Sequence, residues 1–511
     1  VGFELVWLKR DLRWQDHAPL AHASARGPIR VIYVVEPQLW EQPDASLQHL
    51  GFIRESIFDV HAAFQKVSGA VEVCHGDILE VLTAMWQQHR FERLYSHEET
   101  GNSFTHQRDR AVAKWCRLHG VTWHEYPQFG VVRGLRDRDL WQRAWERHMA
   151  SVRVEPSKLH FWKVYPQHDL ALHAPHSLLH DPPHRQRGGR HRALTVVHDF
   201  LHERSGRYRG GISSPLLAPD ACSRLSAYLA YGCISMRELV QWTRSELKTA
   251  SGPAGRQAGL RAFASRLYWH CHFIQKLESE PEIEWCNMHR GYDGLREKEF
   301  SEERFRALQA GQTGWPMVDA CVAMLRETGW LNFRMRAMLV SVAAYPLWLH
   351  WQPVGHWLAR QFLDYEPGIH WSQMQMQSGT TGINTTRVYN PIKQAQDHDP
   401  NGRFVRHWLP HLSAVPDGWI FEPWQMPAAL QHRAGNEALL DVPRPIVDLG
   451  LATREAKRRL YERRHQPEVR AGQQAVVARH ASRKTRRDPI TQPRVGEPGL
   501  QLANPQLSLD L

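Results

Sequence analysis

Cys222-Ser223-Arg224-Leu225-Ser226 stands at the head of a stretch of helical spacing, Arg224–Leu229, and places small hydroxyl residues and free main-chain amides at a helix start. Such a start receives an anionic diphosphate, because the first amides have no partner inside the helix and the helix dipole favours negative charge. The same residue types also serve as an ordinary N-cap, so on spacing alone both readings stand. The 21 tryptophans fit either a planar ligand or large helical cores. Seven cysteines, Cys74, Cys116, Cys222, Cys233, Cys271, Cys286 and Cys321, are scattered without a C-x-x-C pair. That spacing argues against zinc, a disulfide framework and an iron-sulfur cluster, and no metal is expected. The net charge of +11 is concentrated in residues 454–487, which hold 12 Lys/Arg against 3 Asp/Glu. A run of this kind holds nucleic acid by counterion release or forms a solvated helix face.

The elements that must position these residues fall into two groups. Leu5–Leu8, Arg30–Val35, Val71–Val73, Arg93–Ser96 and Val121–Tyr126 are rich in β-formers. Between them Leu47–Phe64, Ile78–Gln88 and Gln107–Leu118 have helical periodicity. The alternation predicts a Rossmann-like α/β domain with a parallel sheet over residues 1–126. Residues 127–194, rich in His, Pro and Arg, read as an interdomain connector with short helices. From 195 to 482 strand alternation disappears and helical spacing takes over, as in Met236–Leu247, Gln257–Leu277, Met317–Arg326 and Phe333–Leu349, which predicts an all-α domain. Residues 453–482 read as one or two further helices and 483–511 as a disordered basic tail. No apolar run reaches the roughly 20 residues of a membrane span. No charged leader precedes an apolar stretch at the N-terminus, so a cytoplasmic protein, monomeric and without membrane contact, is expected.

Three motifs occur in order: Val6-Trp7-Leu8-Lys9-Arg10-Asp11-Leu12-Arg13, then Cys222 through Ser235, then a block from Thr313 to Leu412. The block contains Thr313-Gly314-Trp315-Pro316, Gly329-Trp330, Arg334, Arg336, Asp364-Tyr365-Glu366-Pro367-Gly368, Asn390-Pro391 and Phe404-Val405-Arg406-His407-Trp408. Together they resemble the DNA photolyase/cryptochrome family over nearly the whole chain to about residue 480. The resemblance implies an α/β antenna-type domain, an all-α FAD-binding domain and a U-shaped FAD. It implies that Tyr208 lies on the cofactor and that Cys222, where relatives usually have Thr, opens the diphosphate segment with Ser223, Arg224, Leu225 and Ser226. Arg336 and Asp364 match a pair against the flavin ring, followed by Glu366, Gly368 and His370.

Several positions depart from the family pattern. His370 stands where DNA photolyases usually have an Asn beside flavin N5; a His there both bonds and exchanges protons, with a pKa near working pH unless burial lowers it. Arg266 and Phe333 stand where cyclobutane-dimer enzymes have a Glu and an Asn. Met374 and Lys298 replace the inner and outer Trp of the usual electron-transfer triad, leaving Trp351 in register; Trp330, Trp371 and Trp315 offer other routes. Trp269 remains where relatives stack a flipped base, and Arg334 is in register with a residue near DNA. The expected function is blue-light-driven electron transfer from FAD to damaged DNA, as in a photolyase. The alternatives are a cryptochrome-type photoreceptor and a flavin-binding interaction protein. The expected partner is DNA, and a second antenna chromophore (a folate, a deazaflavin or another flavin) belongs to the N-terminal domain. Gln506-Leu507-Ser508-Leu509-Asp510-Leu511 is similar to peptides that dock on a bacterial sliding clamp.

Overall fold

The computed structural model describes residues 2–163, 178–249, 254–383, 387–427, 430 and 444–480. The segment 485–505 and the hexapeptide Gln506–Leu511 lie outside the described residues.

Five strands, β1 (Glu4–Leu8), β2 (Ile29–Val35), β3 (Glu72–His75), β4 (Arg93–His97) and β5 (Thr122–Tyr126), form one parallel sheet in the order β3-β2-β1-β4-β5. The central strands β1 and β2 are buried along their whole length, which is why they read as near-continuous apolar runs. Helices α1 (Leu47–Gln65), α2 (Ile78–Gln88) and α3 (Ser103–His119) provide crossovers. Their ends follow local chemistry: Asp77 accepts from the Leu79 amide at 2.7 Å, Asn102 from Thr105 at 3.2 Å, and α3 stops at Gly120, whose φ is +69°.

Of the short helices expected within 127–194, one packs on the helical layer. Trp141, Trp145 and Met149, four residues apart on helix Trp141–Ala150, are buried, and both indoles pack edge-on to Tyr268 at 5.1 Å. The helical domain is built around α4 (Ala254–Ser279), α5 (Phe333–Ala344), α6 (Trp351–Gln361) and α7 (Pro367–Ser378). The expected helix Phe333–Leu349 ends at Ala344, because Pro346 offers no amide and its ring opposes the Val342 carbonyl. The expected start at Arg224 moves to Ser226, since Arg224 has φ +61° and the helix runs only over Ser226–Ala230. Two basic helices, α8 (Leu449–Arg464) and α9 (Pro467–His480), complete the described chain. His480 closes α9 onto the end of α4 by donating to Glu280 at 2.6 Å. No described helix is long and apolar enough to cross a membrane.

The two layers meet at the turn after β1. Leu12 N–H donates to Tyr231 O (3.1 Å), Arg13 to Gly232 O (3.1 Å), and Arg10 to Ala230 O and Tyr365 O (2.8 Å each). Asp11 holds the turn from inside: it accepts from the Lys9 amide and from His97 Nδ1, both at 2.7 Å. His17 Nδ1 accepts from the Leu20 amide, so its Nε2–H faces the same Asp11 oxygen at 3.0 Å. These three side chains are grouped as metal ligands are, with His97 Nδ1 bonded to Asp11. Burial would raise the Asp11 carboxyl, but the His17 and His97 hydrogen bonds hold it well below the usual range; burial lowers His97 to about 3.

Gly232, at φ +64°, is where the layers touch: a Cβ there would lie 2.2 Å from Arg10 O and 2.6 Å from the Asp11 Cα. Gly232→Ala is therefore expected to destabilise the chain by about 2 kcal/mol or more. Gly418→Ala, whose Cβ meets nothing within 4 Å, should be near neutral. Urea denaturation of the two variants checks this; equal midpoints would show that the joint tolerates a side chain.

Candidate cofactor and substrate cleft

A cleft of about 340 Å³ opens between α4, α5, α7 and the segment around Cys222. Helical spacing explains its walls. Arg266, Trp269, His270 and Phe273 on α4 recur at intervals of three and four, as do Ile369, His370, Gln373, Met374 and Gln377 on α7, so each set shares one face. Tyr208, buried against Phe200 and Phe263, comes from helix Ser205–Gly211. Cys222, Ser223, Arg224 and Ser226 come from the loop and first turn before Tyr228. Arg204 holds that loop by donating to Cys222 O and, at 3.3 Å, to Ser223 O.

The dominant charged group is a bidentate pair: Arg336 Nη1 and Nη2 each donate to an Asp364 oxygen at 2.9 Å. Burial alone would raise the Asp364 carboxyl, but the Arg336 charge and hydrogen bonds outweigh it and keep the group ionised. Arg224 lies 3.8 Å over the Trp330 ring, and burial lowers its pKa to about 10. Among the buried polar atoms of the cleft residues, Arg224 Nη1, His270 Nδ1, Asn332 Oδ1 and Glu366 Oε1 have no hydrogen-bond partner among the described residues. A free guanidinium donor and two free acceptors beside flat aromatic walls suit a ligand with anionic oxygens and a planar ring bearing N–H groups.

His370 is buried, and its Nε2–H donates to Gly355 O at 2.9 Å. Burial lowers it to about 4, so the expected titration near working pH does not belong to this imidazole. Leu225, Gly368 and Trp351 lie off the cleft lining. Leu225 is buried, Gly368 packs against Ile274 of α4, and Trp351 donates to Asn287 at 2.8 Å. Trp351 is nonetheless connected: its ring lies 5.9 Å from Trp371, which lies 5.0 Å from His370. Trp371 fits there because position 355 is Gly; a Cβ would approach its ring to 2.4 Å.

Asn332, His270, Gln373 and Gln377 were not singled out by sequence reasoning. The last three lie one helical turn from residues that were, a signal that extending the face would have caught; Asn332, oriented by donating to Ile212 O and Ser213 O, had none. A smaller cavity of about 90 Å³ lies between the sheet and the helical domain, lined by Trp7, Tyr33, Trp40, Tyr231 and Tyr365. Arg108, also in its lining, pairs with Glu36 at 3.0 Å and Asp109 at 2.9 Å.

A parallel α/β layer closed onto a helical layer with an aromatic, Arg-lined cleft defines a two-domain nucleotide-cofactor protein. Residues 263–462 match the family model described as FAD binding domain of DNA photolyase, and residues 4–132 that of DNA photolyase. The chain is 26% identical to cryptochrome DASH of Gloeobacter violaceus over 87% of this chain and 93% of that one. It is 26% identical to deoxyribodipyrimidine photo-lyase of Vibrio cholerae over 83% and 93%. The fold superposes on a bacterial class III photolyase of Agrobacterium tumefaciens with a TM-score of 0.78, covering 91% of this chain and 98% of that one at 22% identity, a likeness of fold. The chain belongs to the DNA photolyase/cryptochrome family and carries its FAD-binding domain.

For His370 the expected outcome is a neutral imidazole protonated at Nε2 throughout pH 6–9, because its pKa of about 4 lies below that window. Nitrogen-15 NMR of histidine-labelled protein, assigned by His370→Asn, measures this; a titration of that signal near neutrality would contradict it.

Proposed function

We propose that the cleft holds FAD and that the chain uses it to revert damaged pyrimidines in DNA under blue light. The observation that carries this reading is that two sets of residues share one cavity. Arg224, Arg336 and Asp364 suit a flavin dinucleotide, while Arg266, Trp269, Phe333 and Arg334 suit an extruded base. When bound in its reduced form, FAD supplies a light-driven electron. The open N–H of Arg224, with the Ser223 and Ser226 hydroxyls, receives the diphosphate. Asp364 keeps lone pairs beyond those given to Arg336 and accepts from the ring N–H, while Arg336 offsets negative charge on the ring. Trp269, backed by Phe273 at 5.8 Å, stacks a flipped base, an interaction worth about 1–3 kcal/mol. Phe333, 40% exposed, adds an apolar face beside it.

Electron supply runs through the edge contacts His370–Trp371–Trp351, replacing the inner step that Met374 interrupts. Trp371→Phe is expected to slow photoreduction at least tenfold, read as loss of the tryptophan radical in transient absorption; an unchanged rate would exclude the route.

A cryptochrome-type photoreceptor is the second reading, favoured by Arg266 and Phe333, which supply neither the carboxylate nor the amide of cyclobutane-dimer enzymes. The test is illumination of the reduced holoprotein with oligonucleotides carrying a cyclobutane dimer or a (6-4) lesion, followed by chromatography. Restored bases are expected, with lesion affinity lower by about 1–3 kcal/mol in Trp269→Ala, and Asp364→Ala should purify colourless. Light-driven absorbance changes with neither lesion reverted would replace repair by the photoreceptor reading; full flavin retention in Asp364→Ala would remove the cofactor assignment.

A further inference from the structure

Glu366 has an unusual position. It lines the FAD-type cleft and also a small interdomain pocket with Lys9, Arg10, His97, Glu98, Glu99 and Gln128. The side chain is 4% exposed. One oxygen, Oε2, lies 3.3 Å from Arg10 Nη2, and the other, Oε1, has no hydrogen-bond partner among the described residues. Arg10 keeps 19% of its side chain exposed, so the pocket side borders solvent. An unsatisfied, solvent-excluded carboxylate oxygen is costly, and protonation removes most of that cost.

We propose that Glu366 is the proton-exchanging side chain of the cleft, passing a proton between the cleft and the interdomain pocket. The proposal rests on the reading that the cleft holds FAD. When the bound cofactor gains negative charge, the Glu366 O–H bond breaks and its proton passes to the cofactor. The carboxylate left behind is stabilised by Arg10 and is protonated again by water from the Arg10 side. Heavy atoms stay in place, and one proton moves inward for each negative charge gained.

The surrounding groups support this assignment. From the α/β layer Arg10 and Lys9 favour the ionised form, while Glu98 and Glu99 oppose it and His97 is neutral. From the helical layer Tyr231 and Tyr365 are neutral, Asp364 is committed to Arg336, and His370 is neutral and bonded to Gly355. Burial raises Glu366 to about 7, with Arg10 opposing and Glu99 reinforcing. It is thus neutral below that pH and ionised above it. The exchange near neutrality that the sequence placed on His370 falls instead to the carboxyl four residues before it.

Infrared titration of the cofactor-free full-length protein tests the assignment first. A protonated-carboxyl absorption that disappears as pH rises through about 7 is expected, and Glu366→Gln should delete it. Glu284, also raised to about 7, remains in that variant, so the difference spectrum isolates Glu366. Glu366→Asp keeps a carboxyl and should shift the absorption, which decides the matter even if the Gln variant misfolds. In the FAD-loaded protein, proton uptake on photoreduction, followed with an indicator dye, should slow roughly 10²-fold in Glu366→Gln and recover largely in Glu366→Asp. An unchanged difference spectrum, or equal uptake rates in wild type and Gln variant, overturns the proposal. Failure of every form to bind FAD overturns the cofactor reading, while the infrared titration still reports whether Glu366 carries the proton.

Discussion

The cleft depends on Arg10. Its guanidinium donates to Ala230 O, at the end of the short helix following the Cys222 segment, and to Tyr365 O, between Asp364 and Glu366. One side chain from the α/β layer thereby fixes the spacing of two cleft walls that belong to different parts of the helical layer. The adjoining Asp11 makes this possible by keeping the turn rigid: it accepts from His97 and the Lys9 amide and faces His17, which leaves the backbone little choice of path. The buried charge costs little there because each carboxylate bond is supplied by a neutral or main-chain donor, so desolvation is offset by hydrogen bonding.

Electrostatics then divide the cleft's labour. Asp364 is held ionised by its bidentate partner, His370 is held neutral by burial, and Glu366 sits between the two states. Three titratable groups within seven residues of chain thus have different protonation behaviour because their environments differ, the usual way one site separates charge stabilisation from proton exchange.

Much of this was legible in the sequence. Strands β1 and β2 follow from the apolar runs that a sheet covered on both faces requires, the other strands from β-forming residues between helical stretches, and the helical domain from period and length. Cys222, Ser223, Arg224, Ser226, Arg336, Asp364 and Trp269 were legible as matches to the family pattern and His370 as a departure from it, and they converge on one cavity. The rest was hidden for identifiable reasons. The positive φ of Arg224 depends on Arg204 and Gln186 gripping the loop from elsewhere. The neutrality of His370 depends on its burial between packed helices, against the pull of the Gly355 carbonyl, and the raised pKa of Glu366 on burial at a domain interface. Asn332 carries no periodic signal because its orientation is set by carbonyls about 120 residues away. Each is a tertiary effect, invisible to spacing along one segment.

The contact between His480 and Glu280 bears on how the chain can be shortened. Glu280 closes α4, the helix that carries Arg266 and Trp269 further back, and its carboxyl is held at about 2 by His480 and Arg479 despite burial. The basic helices are therefore a buttress as well as a charged surface. Removing α9 would strip a buried anion of both its side-chain donors and loosen the last turn of the helix that lines the cleft. A shortened form of this protein that preserves α4 therefore has to keep His480.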